Sequence, residues 1–232
     1  MAHRQHGPNL LLPWAPLTLG TPPAPAAIEF IASTFRTTDA AAFTFTVSFG
    51  PAHAGRKIAV GIGHRETVLV TISSVTIGGV AAAVIPGTEV AFTASNLSAL
   101  AFYQAAVPNG TTGDIVVTLT GTALRCSIGV WALNNLNSVV DTGTSIADPA
   151  ADTITVPALG AIIGYASQTH SAPAVTATWS GMTERFDGTV EGNTTHTGAS
   201  AYSAVGGALA VSCDWSSTPA TGGAASFVSF GP

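Results

Sequence analysis

The sequence predicts an all-β fold: an antiparallel β-sandwich, jelly-roll-like, built from an internal duplication and preceded by an extended proline-rich N-terminal arm. Three observations predict it. Apolar and polar residues alternate with a period of two, as where Phe43, Phe45, Val47 and Phe49 are separated by Thr44, Thr46 and Ser48, the pattern of a half-buried strand. Turn signals punctuate the chain at a spacing of about 8–12 residues, at Gly78-Gly79, Pro86-Gly87, Asn109-Gly110, Gly206-Gly207 and Gly222-Gly223. The chain also reads alike in its two halves, and a repeat of this kind sets the architecture before any local assignment.

The elements follow in order. Residues 1–27 form the arm. Pro8, Pro13, Pro16, Pro22, Pro23 and Pro25 favour an extended, polyproline-like backbone, and Leu10, Leu11, Leu12, Trp14 and Leu17 give it apolar anchors. Such a segment cannot build a core of its own, so it is expected to dock on a neighbour through those five residues. Residues 28–137 form the first β repeat and 138–232 the second. D-A-A-A-F-T-F-T-V-S-F-G-P at 39–51 answers to D-P-A-A-D-T-I-T-V-P-A-L-G at 148–160. The apolar run at 57–62 answers to that at 161–165, the segment at 68–79 to that at 174–184, and 100–106 to 199–205. Each copy is small for an independent sandwich. The short linker expected at 134–143 and the low charge favour two halves packed closely with pseudo-twofold character over two separate tandem units.

Composition narrows the function classes. The chain has 232 residues, 7 Lys plus Arg against 12 Asp plus Glu, a formal net charge of −5 and only 8% charged residues. Its mean hydropathy is +0.43, yet no apolar run approaches the roughly 20 residues of a spanning helix, so no membrane insertion is expected. One lysine, Lys57, and scattered arginines do not make the clustered basic surface that nucleic acid requires. The start, M-A-H-R-Q-H-G-P-N-L-L-L-P-W, is broken by prolines and does not read as a secretory leader. Cys126 and Cys213 exclude a disulfide-rich scaffold; they sit on comparable late strands of the two repeats, so a bridge is the alternative, and the expected reading is two separate buried thiols.

Candidate chemistry is sparse. Glu184, Asp187 and Glu191 form the one acidic cluster, in T-E-R-F-D-G-T-V-E-G-N, which reads as a loop following a strand. Paired carboxylates serve glycoside hydrolysis only when held across a sugar; here capping of a turn or solvated pairing with Arg185 is the expected role. Calcium would need denser acidic spacing. Trp215, beside Asp214 and a Ser-Ser-Thr turn, is the aromatic most suited to an exposed sugar-stacking position, whereas Trp131 and Trp179 fall in strand-patterned phrases and read as core. The ligand-binding candidates are therefore Glu184, Asp187, Glu191 and Trp215. The histidines lack metal-ligand spacing and read as loop residues bonded to backbone. No nucleophile elbow, phosphate-binding loop or dinucleotide fingerprint occurs. The expectation is a protein that is not an enzyme and carries no cofactor or metal.

Four phrases carry a family resemblance: S-S-V-T-I-G-G-V-A-A at 73–82, A-A-V-P-N-G-T-T-G-D-I-V-V-T at 105–118, C-S-I-G-V-W-A-L at 126–133 and W-S-G-M-T-E-R-F-D at 179–187. In combination, residues 39–232 resemble virion-associated β-sandwich structural proteins of tailed phages and gene-transfer-agent-like particles of alphaproteobacteria. The resemblance implies a structural or accessory role in the virion, with capsid, connector or tail proteins as partners. Low charge and abundant small residues suit a homo-oligomer. A host-surface carbohydrate-binding spike or fibre module is the alternative.

Overall fold

The computed structural model describes residues 25–92, 97–170, 175–190, 194–216 and 222–232. Among these residues the chain is all-β and antiparallel, with no helix. The first half supplies β1 (Ala27–Arg36), β2 (Ala40–Ser48), β3 (Arg56–Glu66), β4 (Ile72–Ile77), β5 (Val80–Ala81), β6 (Ala83–Val84), β7 (Val90–Phe92), β8 (Leu97–Ala106), β9 (Thr112–Ala123) and β10 (Arg125–Asn134). The second supplies β11 (Ser138–Ser145), β12 (Ala150–Val156), β13 (Gly160–Thr169), β14 (Ala177–Ser180), β15 (Thr183–Val190), β16 (Thr194–Ser203), β17 (Gly207–Trp215) and β18 (Gly222–Gly231).

No sheet mixes strands of the two halves. The first half makes one sheet in the order β1-β10-β3-β8-β6, with β7 also on β8, and another in the order β2-β9-β4-β5. The second half makes β11-β18-β13-β16-β15 and β12-β17-β14. The order repeats: β1, β10, β3 and β8 hold the places that β11, β18, β13 and β16 hold, and β2, β9 and β4 those of β12, β17 and β14. The phrases that answer to each other in sequence fall on strands with the same place in the two halves.

Three cores explain why these sheets stack. Phe45, Ile58, Ile62, Val117, Ile128 and their neighbours fill the space between the two sheets of the first half. Ile154, Ile162, Trp179, Val211, Trp215 and Phe227 do so in the second. A third cluster joins the halves: Leu100, Phe102, Trp131 and Leu133 meet Ile163, Tyr165, Val228 and Phe230. The molecule is thus four layers, with two inner sheets face to face and an outer sheet on each side. This layering accounts for the near-continuous burial of β3, β10 and β13, whose alternate side chains enter different cores. Across the seam β3 approaches β13, its counterpart, while β8 approaches β18 and β10 approaches β16.

The seam holds one bulky residue where the strands cross. A Cβ on Gly61 of β3 would lie 2.8 Å from Tyr165 Cβ on β13 and 2.9 Å from Phe102. Gly129 and Gly198 similarly leave room for Trp131 and Phe186. The glycines here allow close approach of two sheets, in addition to making turns.

The opposite requirement, closing an end, falls to Arg56. Arg56 is 1% exposed, and among the described residues no carboxylate pairs with it. Nε donates to Val107 O at 2.7 Å, Nη1 to the carbonyls of Phe49, Gly50 and Pro51 at 3.1, 2.9 and 2.7 Å, and Nη2 to those of Asn109 and Gly110 at 2.9 and 2.7 Å. One side chain thereby clasps the loops that follow β2 and β8.

Three local expectations change. Residues 138–143, expected in a linker, form the start of β11, and only 135–137 connect the halves. Residues 183–190, expected as a loop, form β15, bulged between Glu184 and Phe186. Gly222-Gly223 opens β18 instead of turning, and a Cβ at Gly223 would strike Trp215 Nε1 at 2.8 Å. The two cysteines are free and buried, Cys126 in the first core and Cys213 in the second, and burial pushes both thiols well above their ordinary pKa. Neither is expected to react with maleimide in the native protein, and both should react after urea unfolding; labelling followed by mass spectrometry reads this directly.

Candidate functional site

The docking residues Leu10, Leu11, Leu12, Trp14 and Leu17 lie outside the described residues, as does Glu191. Glu184 and Asp187 stand on β15, an edge strand, opposite Ala199 and Thr197 of β16. Asp187 Oδ2 accepts a hydrogen bond from Ala177 N at 3.0 Å, which ties β15 to β14. Burial raises the Asp187 pKa against the lowering effect of hydrogen bonds from Ala177 and Gly188. Partial burial, and then the charge of Asp187, raise that of Glu184. Arg185 does not pair with them: its Nε donates to Ser200 Oγ at 2.8 Å. The arrangement is a carboxylate used as a strand clip with an exposed neighbour.

Trp215 is corrected. It is 5% exposed and packs in the second core with Val211 and Cys213, so its ring offers no stacking face. Along β17 the residues at i, i+2 and i+4 (Val211, Cys213 and Trp215) share one face, and this alternation overrides the polar neighbours Asp214 and Ser216. Trp131 and Trp179 are buried as expected. Trp179 Nε1 donates to Thr197 Oγ1 at 2.8 Å, which in turn donates to Phe186 O.

Two arrangements were not anticipated. His64 and Glu66, two apart on β3 and so on one face, are both buried, with Nδ1 2.6 Å from Oε2. His64 lines a mainly apolar cavity of about 240 Å³ together with Leu69, Val70, Ile72 and Leu100, with Glu89 and Tyr103 beside them. The other crosses the seam. Tyr165 Oη lies 2.7 Å from Ser127 Oγ on β10 and 3.1 Å from His196 Nδ1 on β16. The three residues are buried. Burial raises the Tyr165 pKa and lowers that of His196 to about 4. The trio is a neutral hydrogen-bonded chain inside the seam. The expectation of loop histidines holds for His53, whose Nδ1 accepts from Gly55 N at 3.1 Å, and fails for these strand histidines.

Neutral burial of His196 has a pH consequence. The unfolded imidazole binds a proton near its ordinary 6.5, the folded one only near 4. Stability is therefore full above pH 6.5 and falls as the pH drops towards 4, by about 3 kcal/mol at ~1.36 kcal/mol per pKa unit. Urea midpoints at pH 7 and pH 4.5 should show this fall, with a shallower slope in His196→Asn.

Among the described residues no group of three or more His, Cys, Asp or Glu side chains could hold a metal ion. Neither Glu184 nor Asp187 lines the His64 cavity. No protein-family model and no curated protein matches the chain.

Proposed function

We propose that this chain is a non-enzymatic structural subunit of a phage-like particle, made of two duplicated jelly-roll units fused face to face. Its N-terminal arm attaches it to capsid, connector or tail neighbours, and further copies of the chain complete the assembly.

The strand order carries this reading. Taking β1, β2, β3, β4, β5, β8, β9 and β10 as eight successive strands, one sheet runs 1-8-3-6 and the other 2-7-4-5. β11 to β18 repeat 1-8-3-6 and 2-7-4, with the fifth strand moved to the sixth. This order supports the reading of a double Greek-key jelly roll, an architecture used by capsid and lectin domains. That step is an analogy of fold; composition supports it independently, since 8% charged residues suit a surface largely covered by neighbours. Burial removes Trp215 from the residues that the glycan-binding alternative could use.

Antibody raised against the recombinant chain is expected to label intact particles from the encoding organism in immunogold microscopy. Deleting residues 1–20 should strip the protein from those particles. Unlabelled particles would contradict the virion reading, and unchanged incorporation of the deletion would contradict docking through the arm.

A further inference from the structure

One end of the first sandwich is left unfilled, and a buried imidazole faces the gap. Small side chains set in a row leave the space. His64 of β3 lies opposite Ala99 of β8, and Ala99 lies opposite Ala91 of β7. Ala101, two residues beyond Ala99 on β8, shares its face. All four line the cavity of about 240 Å³. The far wall is the connection from β3 to β4, which supplies Leu69, Val70 and Ile72. That wall is fixed in place. Thr71 N donates to Thr120 Oγ1 at 3.0 Å, Thr120 N donates to Thr71 O at 2.9 Å, and a Cβ on Gly121 would lie 2.8 Å from Val70 Cγ1. The space is therefore formed in advance, as ligand sites usually are. Leu69 is 57% exposed and Val68 beside it 72%, an apolar surface next to the opening.

The imidazole is oriented from behind. His64 and Glu66 are both buried, and Glu66 Oε2 holds His64 Nδ1 at 2.6 Å. Among the described residues His64 Nε2 makes no hydrogen bond, and the buried Glu66 Oε1 also lacks a partner. A carboxylate that fixes one ring nitrogen presents the other in a defined direction. An unpaired buried polar atom is costly, so a molecule that supplies the missing bond is favoured.

The surroundings set the chemistry of that molecule. Glu89 and Tyr103 line the cavity, and among the described residues no Lys or Arg does. Burial, and then the charge of Glu89, raise the Tyr103 pKa. With carboxylates as the nearby charges, an anion is repelled. A cation would give up water for a mainly apolar lining. A hydroxyl suits Nε2 in either form of the ring, donating to the bare nitrogen or accepting from N–H. The space lies between facing sheets and so favours a flat ring system. A cavity of about 150 Å³ holds benzene, and this one has room for two fused rings.

We propose that the first half binds one small, neutral aromatic alcohol in this cavity, its rings between Ala99 and Val70 and its hydroxyl on His64 Nε2. The site does not depend on the place of the chain in a particle, and particle labelling tests the subunit reading separately.

The full chain at pH 7 is dialysed to equilibrium against 2-naphthol and, separately, against naphthalene. Saturable binding of one naphthol per chain is expected, about fivefold tighter than naphthalene, the worth of one neutral hydrogen bond. Ala99→Leu fills the space and should weaken naphthol binding at least tenfold without lowering the urea midpoint. His64→Leu should remove the preference for naphthol over naphthalene. Should His64→Leu fail to fold, the ¹⁵N resonance of His64 Nε2 in the wild type carries the same test, moving with naphthol and staying in place with naphthalene. No saturable binding, equal affinity for the two probes, or naphthol binding unchanged in Ala99→Leu would overturn the proposal.

Discussion

Replacing Arg56 by alanine is expected to destabilise the protein by about 3–5 kcal/mol, among the largest effects of any single substitution. The guanidinium is buried and donates to six backbone carbonyls in two loops, and among the described residues no carboxylate pairs with it. Deleting it leaves those carbonyls without their donor, and each buried unsatisfied group costs about 1–3 kcal/mol before water relieves some of them. Burial lowers the Arg56 pKa, but a guanidinium stays charged at neutral pH. Arg56→Lys keeps the charge and loses the planar fork, so it should fall between wild type and alanine. Urea denaturation of the three proteins checks the order. A loss below about 1 kcal/mol in Arg56→Ala would mean that the loops at 49–51 and 107–110 hold without the clasp.

Trp131→Ala is expected to cost a similar amount, about 3–5 kcal/mol, by opening a cavity in the seam. Trp131 is fully buried, with its ring 5.8 Å from Phe30, 6.0 Å from Phe102 and 6.2 Å from Phe186. Phe186 belongs to the second half, so this indole bridges the two halves, unlike Phe45, which lies wholly in the first core. The two sites should differ in kind. Phe45→Ala lowers the stability of the whole, whereas Trp131→Ala also uncouples the halves and broadens the unfolding transition. Gly61→Ala tests the same seam by overpacking, because its new methyl meets Tyr165 and Phe102, at a cost of about 1–3 kcal/mol.

Much of this architecture was legible in the chain. The alternation of Phe43, Phe45 and Val47 is that of a strand with one buried face, and β2 has that pattern. The apolar run Ile58-Ala59-Val60 shows no alternation, because β3 lies between two cores. In an antiparallel sheet such a run signals a layer on each side. The paired phrases of the two halves lie on strands that hold the same places in the sheet orders. Other features were hidden for physical reasons. β11 and β15 are edge strands with one poorly buried side, so their composition resembles that of loops. The face taken by Trp215 follows from the register of β17, which its polar neighbours masked. His64 and Glu66 carried a usable signal in their i, i+2 spacing, but their burial depends on the layers around β3. The Ser127–Tyr165–His196 chain joins residues far apart in sequence and could be found only once the inner sheets were stacked.

The seam joins the two sandwiches into one unit, because Phe102 and Trp131 of the first half pack with Tyr165 and Phe230 of the second. Differential scanning calorimetry of the full chain at pH 7 tests it directly. One transition with calorimetric and van't Hoff enthalpies in a ratio near one is predicted for the wild type, rising clearly above one in Trp131→Ala. Two resolved transitions in the wild type would contradict the account, since each half would then fold and melt independently of the other.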